Sequence, residues 1–234
     1  MGRLPPDTEI LPGDPPVALR LRPDPRARRF SLRVSQGCGG VTLTFPPRAG
    51  RAAAMAFARD REAWLRSTLA GLPEARRARP GARLPLLGEE LTLVASPLRR
   101  ARREASVLLV PPGSAAGPAT AAFLKAEAAA RLQPLCHAHA RRLGRPLAGL
   151  VLRDTRSRWG SCTAEGRLMF NWRLAMAPAE VIDYVAAHEA AHLAEMNHSP
   201  AFWSLVERLH PNHVPARTWL RCHGVELQRW QFGA

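Results

Sequence analysis

The sequence predicts an α+β fold, and three observations support that class. Apolar and polar residues alternate in residues 30–34 and 41–45, on either side of a glycine-rich stretch, as they do in the strands of a hairpin. From residue 119 onward, apolar residues recur mainly at helical spacing. With 234 residues, of which 46% are hydrophobic, the chain is long enough to bury a substantial core.

The first half reads as a β-rich region with one helix. Residues 1–27 are proline-rich and weakly patterned, which is typical of a loose lead-in. The next elements are predicted from alternation, helical spacing and glycine-containing turns. In order they are a hairpin over residues 30–45 turning within Gln36–Gly40, a helix from Arg51 to Leu69 ending at Gly71, a hairpin from Arg83 to Val94 turning at Gly88-Glu89, and a strand at Ser106–Val110.

The second half follows a segment without periodic apolar residues, Pro111–Pro118, which we interpret as a linker. We therefore divide the chain into a basic, β-rich region of residues 1–115 and a domain of residues 116–234. The elements predicted for that domain are a helix from Ala119 to Leu143 kinked or split at Pro134, strands at Leu150–Leu152 and Leu168–Trp172, a helix after Pro178, a helix starting at Ser199-Pro200, and a short helix from Arg217 to His223. No internal repeat is apparent.

The formal net charge of +15 lies almost entirely in the first half. From Val151 onward nine arginines face eight acids, which leaves 25 basic and 11 acidic residues, or +14, in residues 1–150. This excess is compatible with a nucleic-acid partner, but the bias toward arginine, alanine and proline also looks like simple compositional drift. No apolar run is long enough for a membrane span, and the N-terminus lacks the apolar core of a secretory signal. The four cysteines are widely spaced, so we expect reduced thiols in a cytoplasmic protein.

The stretch from His188 to His198 carries the chemistry. Residues four apart lie above one another on a helix, so His188 and His192 can present two imidazoles to one metal ion. Glu189 lies on the neighbouring flank, where it can act as a general base without binding the metal. This His-Glu-x-x-His pattern is that of zinc hydrolases. By itself it is only moderately specific, because helix-face histidines can also occur at this spacing by chance.

The third ligand requires a turn. A catalytic zinc takes three protein ligands and leaves one position for water. His198 can supply the third if the helix ends and the chain doubles back near Met196-Asn197. We expect Asn197 to adopt a left-handed conformation there, because Glu195 stands where related motifs have glycine. Glu207 on the next helix is the competing third ligand, and we prefer His198.

A peptidase also needs a donor for the developing oxyanion. Tyr184, Arg158 and His223 are the residues that we consider for this role, and Tyr184 can equally be a core residue. The strand Leu168–Trp172 is a further element of interest, because peptides often bind as an added strand at an exposed sheet edge. Asn171 and Trp159 can lie near that cleft or simply pack in the core.

Several motifs together resemble the YgjP-like metallopeptidases, which are similar to the SprT-like and WLM zinc proteases. The residues that carry the resemblance are Arg156–Cys162, Asn171–Leu174, Tyr184, His188–His192, Asn197–Pro200 and Phe202-Trp203. The resemblance implies a zincin-like helix-and-sheet domain, zinc on His188, His192 and His198, and a catalytic Glu189. Relatives among the SprT-like and WLM proteins act on proteins crosslinked to DNA.

The sequence therefore predicts a zinc-dependent metallopeptidase that hydrolyses peptide bonds with a glutamate base. Two alternatives remain at this stage. One is a DNA-associated protein, either a binding module or a protease of DNA–protein crosslinks, and the other is a zinc hydrolase of a non-peptide amide. The motif specifies a water nucleophile and leaves the acyl group open.

Overall fold

The computed structural model describes residues 7–35, 40–72 and 75–233, and it confirms the α+β class. The chain forms two compact units, and the boundary between them in the sequence lies between Ala75 and Arg76. The strands of residues 76–110 therefore group with the second unit. The functional division at residues 115 and 116 stays a prediction. In the described part of the chain, no helix is both long and apolar enough to span a bilayer.

The first unit is a four-stranded sheet followed by two helices. Its elements are β1 Thr8–Leu11, β2 Val17–Pro23, β3 Ser31–Val34, β4 Val41–Phe45, a 3-10 turn at Pro47–Ala49, α1 Gly50–Asp60 and α2 Glu62–Ala70. The sheet order is β1-β2-β4-β3, with its buried face rich in leucine and valine. The alternating burial of β2 and β4 shows why the period-two pattern folds as strands.

Two predictions for this unit are wrong. Residues 1–27, predicted to lack regular structure, contain strands β1 and β2. Their alternating pattern is short and flanked by prolines, so it is not apparent in the sequence. The single helix predicted over 51–69 is two helices separated at Arg61. The predicted hairpin is confirmed, because β3 pairs antiparallel with β4. Of its predicted turn, residues 36–39 lie outside the described part of the chain.

The second unit has one short strand, then another four-stranded sheet, and then the helices. Its elements are β5 Arg76–Arg77, β6 Arg83–Leu86, β7 Glu89–Ala95, β8 Arg102–Glu104, β9 Val107–Val110, a 3-10 turn at Gly113–Ala115, α3 Ala116–Arg142, β10 Gly149–Arg153, β11 Gly160–Cys162, β12 Arg167–Asn171, a 3-10 turn at Trp172–Met176, α4 Ala179–Ala191, α5 Pro200–Leu209, α6 His213–Gln228 and β13 Trp230–Gln231. The hairpin predicted over 83–94 is confirmed by the pairing of β6 with β7.

The two four-stranded sheets share one topology. The order β6-β7-β9-β8 repeats that of β1-β2-β4-β3. In each sheet the outer pairs are antiparallel and the central pair is parallel. A 3-10 turn and an α-helix follow each sheet. The structure therefore contains a topological repeat that the sequence does not reveal, because the equivalent segments share no recognisable residue pattern.

Three further differences concern the second unit. The expected linker is short, since α3 already begins at Ala116. Helix α3 contains Pro134 without ending there, so of the two predicted alternatives, a kinked or a split helix, the split is wrong. The last helix is longer than predicted, because α6 runs through Gly224 instead of ending there. The segment before Leu168 contains an additional strand, β11, which pairs antiparallel with β12. The three-stranded sheet has the order β10-β12-β11, so β12 lies in its centre and β11 at its edge.

Candidate metal centre

Helix α4 holds the first two histidines in a rigid frame. Pro178 precedes its first turn, and both faces of the helix are largely buried against the core, including Val181, Ile182 and Val185. Such a helix is fixed by packing on several sides. His188 and His192 lie at its C-terminal end, where the side chains become half-buried instead of buried. The end of α4 is thus the point where the core opens toward solvent.

The turn after α4 brings His198 back to the other two histidines. The helix tightens at its end, with the amide of Leu193 donating to the carbonyl of Ala190 at 2.9 Å. Asn197 Oδ1 then accepts a hydrogen bond from the Ser199 amide at 3.1 Å. Ser199 Oγ in turn accepts from the Phe202 amide at 3.2 Å and caps α5, as the sequence predicts.

The prediction of a left-handed Asn197 is wrong. Among the described non-glycine residues, only Leu87 and Ala105 have a positive φ. Asn197 makes the turn through its side-chain amide oxygen, which replaces a backbone acceptor. A glycine is therefore not needed at the position of Glu195.

The ring nitrogens of His188, His192 and His198 all lie within 4.8 Å of one another. The Nε2 atoms of His188 and His198 are 3.2 Å apart. Zinc–nitrogen bonds in a tetrahedral site place two ligand nitrogens ~3.3 Å from each other. The spacing of these two imidazoles therefore fits a shared zinc ion.

His192 is oriented by a backbone carbonyl. Its Nδ1 donates to the oxygen of Glu195 at 2.9 Å. A carbonyl can only accept, so Nδ1 carries the proton and Nε2 keeps a lone pair for the cluster. Metal-binding histidines are commonly oriented by such a bond. Glu195 thus contributes through its backbone, and its side chain is not one of the clustered groups.

Burial favours the neutral form of the His188 and His192 imidazoles. Burial lowers the pKa of His188 to about 3, with further lowering by His192, His198 and Arg217. Burial also lowers the pKa of His192, an effect that the Glu195 carbonyl partly opposes and His198 reinforces. Neutral imidazole is the form that binds a metal.

The apolar side of the cluster is formed by Phe202 on α5. Its fully buried ring lies 4.5 to 4.9 Å, centroid to centroid, from all three imidazoles. Trp203 lies 5.8 Å from His188 and 6.0 Å from His198. These two rings cover one side of the cluster with apolar surface.

Glu189 lies between α4 and strand β11. It is only 6% exposed, and burial raises its pKa to about 8, against the lowering effect of the Arg158 charge. Strand β11 comes so close that a Cβ added at Gly160 would lie 2.4 Å from Glu189 Cγ and Oε1. The carboxyl group is therefore held by β11 on one side and by its own helix on the other.

The three residues considered as oxyanion donors occupy different places. Tyr184 is buried one turn before His188, with ring centroids 5.9 Å apart. Arg158 is exposed on the loop before β11, where its charge acts on Glu189. His223 is exposed on α6 and packs on Trp219, with no described contact to the histidine cluster. Glu207 is exposed on α5 and does not belong to the cluster.

Arg217 is a residue near the cluster that sequence reasoning missed. Its guanidinium lies 4.5 Å from the centre of the Trp203 ring, and its charge acts on His188 and Tyr184. No local pattern predicts this, because Trp203 and Arg217 belong to different helices and their contact depends on how α5 and α6 pack.

The expected role of strand Leu168–Trp172 as an exposed edge is wrong. Residues 167–171 form β12, the central strand of its sheet, and the edge next to Glu189 is β11. Asn171 is fully buried and structural, since its Nδ2 donates to the Thr155 carbonyl and its Oδ1 accepts from the Arg173 amide. Trp159 does line a cleft, together with residues of α6.

Comparison with known proteins identifies the family. The model of the YgjP-like metallopeptidase domain matches residues 28–223. One solved structure, the metallopeptidase zymogen of Pyrococcus abyssi abylysin, is 23% identical over 43% of this chain and 98% of that chain, with a TM-score of 0.36, a likeness too weak to bear on function. No curated protein matches the sequence. The match over most of its length shows that this chain belongs to the YgjP-like metallopeptidase family, which implies a peptide or protein substrate and a metal ion.

Proposed function

We propose that the protein is a zinc-dependent peptidase that uses Glu189 as its general base. The observation that carries the proposal is the cluster of three imidazoles with ring nitrogens within 4.8 Å, formed by the end of α4 and the turn after it, next to the buried carboxyl group of Glu189 on α4. Three imidazole nitrogen ligands suit zinc and leave a coordination position open for catalysis.

Each residue then has a defined role. His188, His192 and His198 would hold the ion, His192 through Nε2 because its Nδ1 is bonded to the Glu195 carbonyl. A bound zinc would polarise the scissile carbonyl and lower the pKa of the attacking water. Glu189 takes the proton of that water on a carboxylate oxygen and passes it to the leaving amine. Burial of Glu189 favours the first step, because it raises the proton affinity of the carboxyl group and makes the carboxylate a stronger base.

We consider two groups as donors that could stabilise the oxyanion. The Tyr184 side chain lies against His188, and the positive charge of Arg217 acts on the same region. A hydroxyl or guanidinium donor close to the developing charge can supply this stabilisation. We favour Tyr184, because the buried packing of its ring restricts its orientation. Arg158 remains close to Glu189, whereas His223 has the weakest structural support.

The edge strand β11 offers a binding mode for an extended peptide. It is paired on one side with β12, and it carries Gly160 directly against Glu189. A substrate that adds to this edge as a strand would have its backbone aligned beside the general base. The absence of a side chain at Gly160 also allows the carboxyl group to lie at the strand edge.

The two alternatives have less support. Membership of a metallopeptidase family favours a peptide over a non-peptide amide. We do not propose the DNA-associated alternative, because its main support is a composition, the arginine excess of residues 1–150, and not a feature of the site. We keep the expectation of a cytoplasmic protein, which the unpaired thiols of Cys136, Cys162 and Cys222 support.

The test combines metal content with substitution of the base. Purified protein should contain one zinc per chain and cleave members of a peptide library. Glu189→Gln should keep the zinc and lose at least about a hundredfold in kcat, because proton transfer contributes that much. Glu180→Gln, an exposed acid on the same helix, is the matched control and should keep full activity. Peptidase activity that survives Glu189→Gln would refute the mechanism.

A further inference from the structure

A cleft of about 270 Å³ lies between the loop before β11 and helix α6. The loop residues Arg156–Trp159 form one wall, and residues of α6 between Leu220 and Gln228 form the other. Trp159 is half-buried and packs against Gly224, where an added Cβ would lie 3.1 Å from the indole ring. The glycine therefore lets the ring lie directly on the helix and form an apolar floor with Leu220 and Val225.

The cleft is positively charged on both walls. Arg156 and Arg158 belong to the loop, and Arg221 belongs to the helix, whereas none of the described residues that line the cleft is acidic. The two acids close by in sequence already have partners. Asp154 accepts two hydrogen bonds from Arg173, and Glu226 accepts one from Arg229.

This clustering is local. Residues 151–234 contain nine arginines against eight acids, so their overall charge is close to neutral. Three of those nine arginines line this one cleft. A surface that binds nucleic acid needs an extended basic track along many phosphates. A small cleft with arginines on opposite walls and an aromatic floor instead fits one anionic group carried on an apolar stem.

Hydrogen bonds to neighbouring elements hold the loop in place. The Thr155 carbonyl accepts hydrogen bonds from Asn171 Nδ2 at 2.6 Å and from Gln228 Nε2 at 3.2 Å. Thr155 Oγ1 donates to the Arg158 carbonyl at 2.7 Å, and the amide of Asn171 donates to the Trp159 carbonyl at 2.9 Å. A preorganised wall reduces the entropy lost when a ligand binds.

The loop that forms one wall of the cleft leads directly into the strand beside Glu189. Trp159 is followed directly by Gly160, which lies against Glu189. Arg158 is two residues from Gly160, a chain distance of about 7 Å. One extended peptide residue spans about 3.3 Å, so a group bound in the cleft would belong to a substrate residue within a few positions of the scissile bond.

We propose that this cleft is a specificity subsite for a substrate carboxylate. Arg221 and Arg158 bind the carboxylate from opposite walls, while the apolar stem of the residue packs on Trp159. A glutamate side chain and the carboxylate of a peptide C-terminus share this chemistry. The inference rests on the proposed peptidase function and names the class of peptide that the site prefers.

The test compares peptides that differ only by Glu or Gln at one position, scanned on both sides of the cleavage site with zinc-loaded protein. We expect a kcat/KM ratio of about ten in favour of Glu at one position, the effect of one charge-assisted hydrogen bond. Arg221→Gln should lower that ratio toward one, because only the loop arginines then remain, and Arg221→Glu should lower it further. Arg131→Gln, an exposed arginine on α3, is the control and should keep the ratio.

A second measurement separates this inference from the proposed function. Should no peptide be cleaved, the peptidase proposal fails, and binding of the labelled Glu and Gln peptides still decides the subsite by fluorescence anisotropy. Tighter binding of the Glu peptide than of the Gln peptide, with a difference that Arg221→Gln reduces, supports the subsite, whereas equal binding of the two peptides overturns it. Tighter binding of a peptide with a free C-terminus than of the same peptide with a C-terminal amide also supports the subsite, and it identifies the bound group as the C-terminal carboxylate. Displacement of the Glu peptide by single-stranded DNA with a steep salt dependence overturns it in favour of a phosphate site.

Discussion

Gly160→Ala tests how closely strand β11 controls the general base. The added Cβ would lie 2.4 Å from Glu189 Cγ and Oε1, whereas carbon atoms in contact are about 3.5–4.0 Å apart. Relief of the overlap therefore requires a shift of about 1 Å or more in Glu189 or in β11. A displacement of that size at a catalytic group can cost about a hundredfold in rate. We expect kcat to fall by about that factor.

The assay should separate misplacement from unfolding. Overpacking costs about 1–3 kcal/mol of the free energy of unfolding, which denaturant titration of the variant will measure. Zinc content should stay at the wild-type value, because Gly160 does not belong to the histidine cluster. Gly233→Ala is the control, since a Cβ there has open space. A folded, zinc-loaded Gly160→Ala variant with wild-type kcat would refute the claim that β11 positions Glu189.

Two further predictions concern residues on α4. Tyr184→Phe keeps the ring that packs on His188 and removes only the hydroxyl group. If the hydroxyl is the oxyanion donor, kcat should fall about a hundredfold, the effect of one such donor, while the zinc affinity stays unchanged. An unchanged kcat would assign Tyr184 to packing. Asp183 bonds to His139 Nε2 at 2.7 Å; burial acts to raise its pKa, but that bond and the charges of His139, His210 and Arg142 hold the pKa below its ordinary value. The bond therefore stabilises the fold fully at pH values above the ordinary aspartate pKa, and this stability is lost as the pH falls through the lowered pKa of Asp183. Asp183→Asn should reduce the free energy of unfolding by about 1 kcal/mol at pH 7 and by less below pH 4. Urea titrations at both pH values would measure the difference.

The sequence predicts the parts of the site that depend on local spacing. The four-residue interval places His188 and His192 on one helical face, and the Ser199-Pro200 pair marks the start of α5. The sequence predicts where the turn before His198 lies, but it predicts the wrong backbone conformation for that turn. Asn197 makes it by accepting a hydrogen bond on its side chain, and spacing alone does not distinguish that solution from a left-handed backbone.

The remaining parts depend on contacts between distant segments. Strand β11 is too short to show alternation, so the contact of Gly160 with Glu189 could not be predicted. The stacking of Arg217 on Trp203 follows from the packing of α5 and α6. Gly224 looked like a helix end, but it lies within α6 because the helix packs there against Trp159.

Zinc affinity of the His198→Ala variant tests the central claim most directly. The apoprotein should be titrated with zinc against a chelator of known affinity, in parallel with the wild type. We predict one tight site per wild-type chain and a loss of at least about a hundredfold in affinity when His198 is removed, since even residues that only support ligands contribute 10- to 100-fold. An affinity that does not change in His198→Ala would contradict a centre built from His188, His192 and His198.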